Sequence, residues 1–177
     1  MDRKARRWSK TPIRPNRKKL GLGLVALPSG SPVCPGGRDC LGMMPFAFAP
    51  TLEEIEDGFE DLNDCIGLGK LPEGIARLQD PDRVALKASS AILVIDYPIE
   101  NPVQCRLKPN RLRGFTTREV ITAIADAYAE IYAGLESSSA KIPDVGSVWH
   151  SRSDLYIEGV HIYRADGETW IAPHMGS

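Results

Sequence analysis

The sequence has no apolar run approaching the roughly 18 residues that would span a bilayer. Its most continuous one, AILVIDY at 91–97, has the length of a strand. A membrane-spanning protein is therefore not expected. Also missing are the phosphate-binding loop, the dinucleotide-binding glycine pattern, the GxSxG elbow, HExxH and the kinase motifs. Histidine is scarce, and His150, His161 and His174 read as ordinary surface or edge residues. No catalytic residue, metal ligand or cofactor is assigned from these patterns, and an enzyme is less expected than a binding protein.

Cysteine is sparse as well. Cys34, Cys40, Cys65 and Cys105 are scattered through a chain of 177 residues, long enough to bury a core without disulfides. The pattern predicts free thiols in a reducing, intracellular setting. Five residues separate Cys34 from Cys40, more than a zinc-binding pair usually allows, and no second Cys or His pair follows. An unpaired loop is the expectation, with a small disulfide as the alternative.

What is present is a charge asymmetry that the net value of −1 conceals. Residues 1–19 hold Arg3, Lys4, Arg6, Arg7, Lys10, Arg14, Arg17, Lys18 and Lys19 against Asp2 alone, or +8. The remainder holds thirteen Lys/Arg against twenty-two Asp/Glu, or −9. Such an arm binds a polyanion, serves as an address label or docks on acidic surface. Its cations can neutralise phosphates, and Trp8 among them can stack on a base. The LGLGLVAL stretch that follows has a secretory signal's order but contains two glycines and precedes no clean cleavage site. An organelle presequence remains an alternative for this Arg-rich, acid-poor segment.

Residues 1–50 carry seven of the fourteen prolines and six of the sixteen glycines. They are predicted to form an irregular basic arm, and residues 51–177 a single domain. In TLEEIEDGFEDLNDCIG, 51–67, a Thr51/Glu54 capping box and apolar residues from Leu52 to Ile66 predict an acidic helix. Counting an EF-hand loop from Asp61 puts Ile66 and Pro72 where Gly and Glu are needed, so calcium is excluded there. A short helix is expected around Glu73–Leu78, a doubly buried strand over Ala91–Tyr97, and a half-buried one where Val103, Cys105 and Leu107 alternate with polar residues.

The most legible helix is FTTREVITAIADAYAEIYAGLE, 115–136. Thr116 and Glu119 form its capping box, and Phe115 with Val120 its hydrophobic staple. Val120, Ile124, Tyr128, Ile131 and Leu135 make the apolar stripe, opposite Glu119, Asp126 and Glu130. A long connection follows at 137–153, holding Trp149 and His150. In DLYIEGVHIYRADGETWIA, 154–172, the apolar phase slips at Gly159, as at a β-bulge. Asp166-Gly167 predicts a two-residue hairpin turn that pairs Ile162 with Ile171, Tyr163 with Trp170 and His161 with Ala172.

DYPIENPV, the 114–136 segment and DLYIEGVHIY together resemble a pattern found in small uncharacterised α+β proteins: YPhxxPV, GFTxxE opening a helix, and a DLhhEG hairpin. The resemblance covers about residues 96–172 and implies a shared fold. It brings no activity, because the shared residues are caps, core positions and turns.

The fold expected is α+β, in the order α-β-β-α-β-β: an antiparallel sheet of about four strands, helices on one face, and the irregular arm in front. An uncovered face would present Tyr156, His161, Tyr163 and Trp170 beside Arg106 and Lys108, a mixture suited to single-stranded nucleic acid. Aromatic cross-strand pairing alone also accounts for that pattern. The leading expectation is a non-enzymatic interaction or assembly protein whose arm contacts nucleic acid, an acidic protein surface or a larger complex. The alternative is a small enzyme or metal-binding protein using the 137–153 loop and His150.

Overall fold

The computed structural model describes residues 22–27, 40–49, 65–137 and 144–177. The cationic residues 1–19 with Trp8, residue Cys34 and residues 51–64 of the expected acidic helix lie outside the described residues.

The described elements are β1 (Val25–Ala26), β2 (Cys40–Pro45), β3 (Ile66–Gly67), α1 (Leu71–Arg77), β4 (Val84–Leu86), β5 (Ala91–Ile95), β6 (Val103–Leu107), β7 (Phe115–Thr116), α2 (Thr117–Ser137), β8 (Tyr156–Ala165) and β9 (Glu168–Gly176). Seven strands form one sheet in the order β1-β6-β5-β9-β8-β2, with β3 pairing β8 next to β2; β4 and β7 form a separate ribbon. This corrects the four-stranded antiparallel expectation in strand number and direction. β5 pairs antiparallel with β6 but parallel with β9, through Ile92 with Trp170 and Leu93 with Ile171. The physical reason is the insertion of β9 between β5 and β8, which leaves β5 covered on both edges as well as both faces. Its five residues are all buried, and a continuous apolar run is what such a position selects.

A second correction concerns the irregular arm, because described parts of 1–50 belong to the folded body. β2 pairs with β8 from Cys40 opposite Tyr163 to Pro45 opposite Gly159. Leu24, Met44, Phe46 and Phe48 are buried in the same core cluster as the main sheet. Pro45 ends β2 between the buried Met44 and Phe46 and is tolerated because β2 lies at a sheet edge, where one side of the strand needs no partner. Ile66, expected to close a helix, instead pairs with Ile157 as part of β3.

Helix α2 organises the core. Val120, Ile121, Ile124, Ala125, Ala127, Tyr128 and Ile131 are buried and cluster with Leu93, Ile95, Val103, Cys105, Leu107 and Ile171. Leu135, expected on that stripe, is 45% exposed. The capping box forms as the sequence indicates. Thr116 N–H donates to Glu119 Oε2 at 2.8 Å and Glu119 N–H to Thr116 Oγ1 at 3.2 Å. Asn110 N–H adds a third bond to Glu119 Oε1 at 3.0 Å. Tyr128 lies fully buried, and its hydroxyl donates to the Tyr97 carbonyl.

The hairpin of β8 and β9 keeps the register read from the sequence, with a shift between Ile157 and Gly159. Asp166 and Gly167 both adopt positive φ, at 51° and 77°. That is the backbone a primed two-residue turn requires.

Candidate functional site

The sheet face remote from α2 is set by strand alternation. Ile92, Val94 and then Asp96 follow one parity of β5, whereas Leu93 and Ile95 join the core. Register places Arg106 and Trp170 beside Ile92, and Tyr163 and Cys40 beyond Trp170. The sequence-predicted Arg106, Tyr163 and Trp170 therefore share one cross-strand row. The face is not an open aromatic plate, however. Ile92, Val94 and Ala172 are buried, Tyr163 and Trp170 half-buried, and Arg106 ion-pairs with Glu168 at 2.6 Å. Tyr156 is 42% exposed, at the far end of β8, with its ring against Gly67. Lys108 lies beyond β6, in a cleft against the start of α2.

Toward the other end of that face lies a polar cluster. His161 Nε2 and His174 Nδ1 are 3.2 Å apart, and their rings meet edge to face. Glu158 Oε2 lies 3.3 Å from His174 Nε2. Burial raises the Asp96 carboxyl above its usual range, opposed by its own backbone hydrogen bond and by the charge of nearby His161. His161 had been grouped with the aromatics; the pairing with His174 was missed. It was legible in part, because the hairpin register that pairs Ile162 with Ile171 also places residue 174 opposite 159, two positions along β8 from His161.

His150 sits elsewhere, where the 144–153 segment meets β9. Its Nε2 is 3.4 Å from Ser177 Oγ, which in turn is 2.8 Å from the Tyr97 hydroxyl. The Tyr132 hydroxyl donates to the His150 carbonyl at 2.6 Å, so the loop backbone is tied to α2. Asp154, the carboxylate nearest in charge effect, is already hydrogen-bonded by Ser151 and Ser153, which hold its carboxyl below the usual range. Trp149 is 61% exposed.

A third region lies at the root of the arm. Leu22 N–H donates to Glu130 Oε2 at 2.8 Å, and Leu24 is buried in the core. Glu130, expected on the solvated back of the helix, is thus the anchor for the incoming chain. Beside it is a cleft of about 390 Å³ lined by Leu22, Arg106, Lys108, Asn110, Phe115, Arg118 and the helix residues Glu119 and Asp126. The segment 106–118, RLKPNRLRGFTTR, contributes Arg106, Lys108, Arg111, Arg113 and Arg118 and no acidic residue. Arg111 and Arg113 are exposed on the turn. Arg118 pairs with Asp82 at 3.1 Å. In the sequence this second basic segment is less conspicuous than the arm, because its charges are diluted among turn residues.

Cys40 carries an exposed free thiol and Cys105 a buried one. Burial, with the nearby Glu130 charge, pushes the Cys105 thiol up to about 12. Among the described residues, no three or more His, Cys, Asp or Glu side chains are placed to hold a metal ion. Among the described residues, no helix is long and apolar enough to cross a membrane. No protein-family model, curated protein or solved structure matches the chain.

Proposed function

We propose that this is an intracellular interaction protein whose basic arm, together with the 106–118 turn, grips a polyanion, with nucleic acid as the favoured class. The observation that carries the reading is where the arm enters the body. Leu22 is fastened to Glu130 beside Lys108 and Arg118, so the +8 arm joins the body next to an acid-free segment with five cations. Cations on the body beside the arm's point of attachment add to the arm's effective affinity for a polyanion. The acidic remainder disfavours non-specific collapse of a polyanion over the whole surface.

Affinity isolation from cells tests this. Intact protein is expected to retrieve nucleic acid that nuclease or high salt releases, whereas the chain lacking residues 1–19 retrieves little. Equal retrieval by both chains, or none by either, contradicts the reading. Residues 20–50 are kept in the truncated chain, since Leu24, Phe46 and Phe48 are part of the core. The second reading, an enzyme or metal protein at the 137–153 loop, rests on the contact of His150 with Ser177. It draws less support, because Asp154 is committed to the neighbouring serines.

A further inference from the structure

We infer that the outer face of the β2-β8-β9 edge carries a soft-metal seat, formed by His161 Nε2, His174 Nδ1 and the Met43 thioether and suited to Cu(I). This goes beyond the polyanion reading and uses none of its residues.

The two ring nitrogens stand 3.2 Å apart. Two nitrogens bound about 2.0–2.1 Å from one tetrahedral ion are separated by roughly 3.3 Å, so little movement is needed to chelate. A shared proton fits the same distance, and three further features favour a metal. The Glu158 carboxylate at 3.3 Å from His174 Nε2 favours the proton on that nitrogen, which leaves Nδ1 with its lone pair toward His161. A carboxylate on the far nitrogen of a ligating imidazole is the usual orienting arrangement at metal sites, and it raises ligand basicity. Second, Met43 is the cross-strand partner of His161, and Gly159 the partner of His174. The Met43 Sδ lies 3.0 Å from where a Cβ on Gly159 would stand, which puts the sulfur over Gly159, the residue opposite His174 and two positions along β8 from His161. Third, the seat is reachable from solvent: Met43 is 49% exposed and the His174 side chain 52%. Carboxylates do not complete this donor set, and sulfur does. Two imidazoles with a thioether suit Cu(I) better than Zn(II) or Mg(II).

The test is anaerobic Cu(I) titration of the full chain against a chromophoric Cu(I) chelator. A Cys34→Ser/Cys40→Ser background removes two thiols as competing ligands. The expected result is one Cu(I) per chain, held at least tenfold more weakly by His161→Asn and by His174→Asn. Met43→Leu weakens it several-fold and Glu158→Gln by about tenfold. One equivalent of Cu(I) should also shift the ring ¹⁵N signals of His161 Nε2 and His174 Nδ1. If affinity stays within twofold across the His161, His174 and Met43 variants, or the ring signals do not move, the seat is refuted and the pair is a hydrogen bond only. Met43→Leu alters an exposed edge residue, so it remains informative if a histidine variant fails to fold.

Discussion

At the scale of single residues, position decides what chemistry a side chain retains. Cys40 and Cys105 are the same residue in two environments, one at an exposed edge and one under α2. At pH 8 a disulfide-exchanging thiol reagent is expected to label Cys40 in the native protein. Cys105 should be labelled only after denaturation, because its pKa of about 12 leaves almost no thiolate and its sulfur is buried. Peptide mass mapping distinguishes the sites, and native labelling of Cys105 would contradict the buried assignment. Gly114 shows the converse, a residue whose absent side chain is the requirement. Its φ is +118°, and a Cβ there would stand 2.2 Å from the Leu86 carbonyl oxygen. Gly114→Ala is expected to destabilise the fold by roughly 2 kcal/mol or more, measured by denaturant unfolding. No residue near Gly114 in the sequence announces this requirement, since the conflicting carbonyl comes from β4.

At the scale of elements, local rules were legible and partner choice was not. The α2 cap and the Asp166-Gly167 turn are formed by residues within a few positions of one another, so they could be read directly. The β5-β9 parallel pairing could not, because no local feature of AILVI states which strand will lie beside it. The cap yields a pH prediction. Partial desolvation opposes ionisation of Glu119, but hydrogen bonds from Thr116 and Asn110 outweigh it and hold its carboxyl below the ordinary range. A lowered folded pKa gives stability that is complete above the unfolded value, about 4.3, and lost as pH falls through the folded one. The stability gap between the wild-type protein and Glu119→Gln should therefore be largest near neutrality and shrink below about pH 4. Thr116→Ala should cost about 1 kcal/mol. A pH-independent gap would mean that Glu119 acts through packing. Tyr128→Phe leaves the Tyr97 carbonyl without its donor and is expected to cost about 1 kcal/mol, read from the same unfolding curves.

At the scale of the whole molecule, the boundary between arm and body carries the functional argument. Composition placed that boundary at residue 50, because prolines and glycines dominate up to there. The structure moves its described limit to Leu22, because a short apolar piece such as MMPFAF pairs and is buried despite the proline within it. Removal of residues 1–19 is accordingly expected to leave the melting temperature within about 2 °C of the full chain. Removal of residues 1–50 discards β1, β2 and the buried Phe46 and Phe48 and should abolish cooperative unfolding. The basic turn at 106–118 was visible in the sequence as scattered charges, and only the tether of Leu22 to Glu130 sets it beside the arm. The measurement that tests this most directly is the salt dependence of single-stranded oligonucleotide binding by three proteins: the full chain, the chain lacking 1–19, and Lys108→Glu/Arg111→Glu/Arg113→Glu. Each phosphate contact contributes about −0.7 to the slope of log K against log salt. A steep slope for the full chain, shallower in both altered proteins, is the predicted result; a slope near zero, or one unchanged by either alteration, would contradict the account.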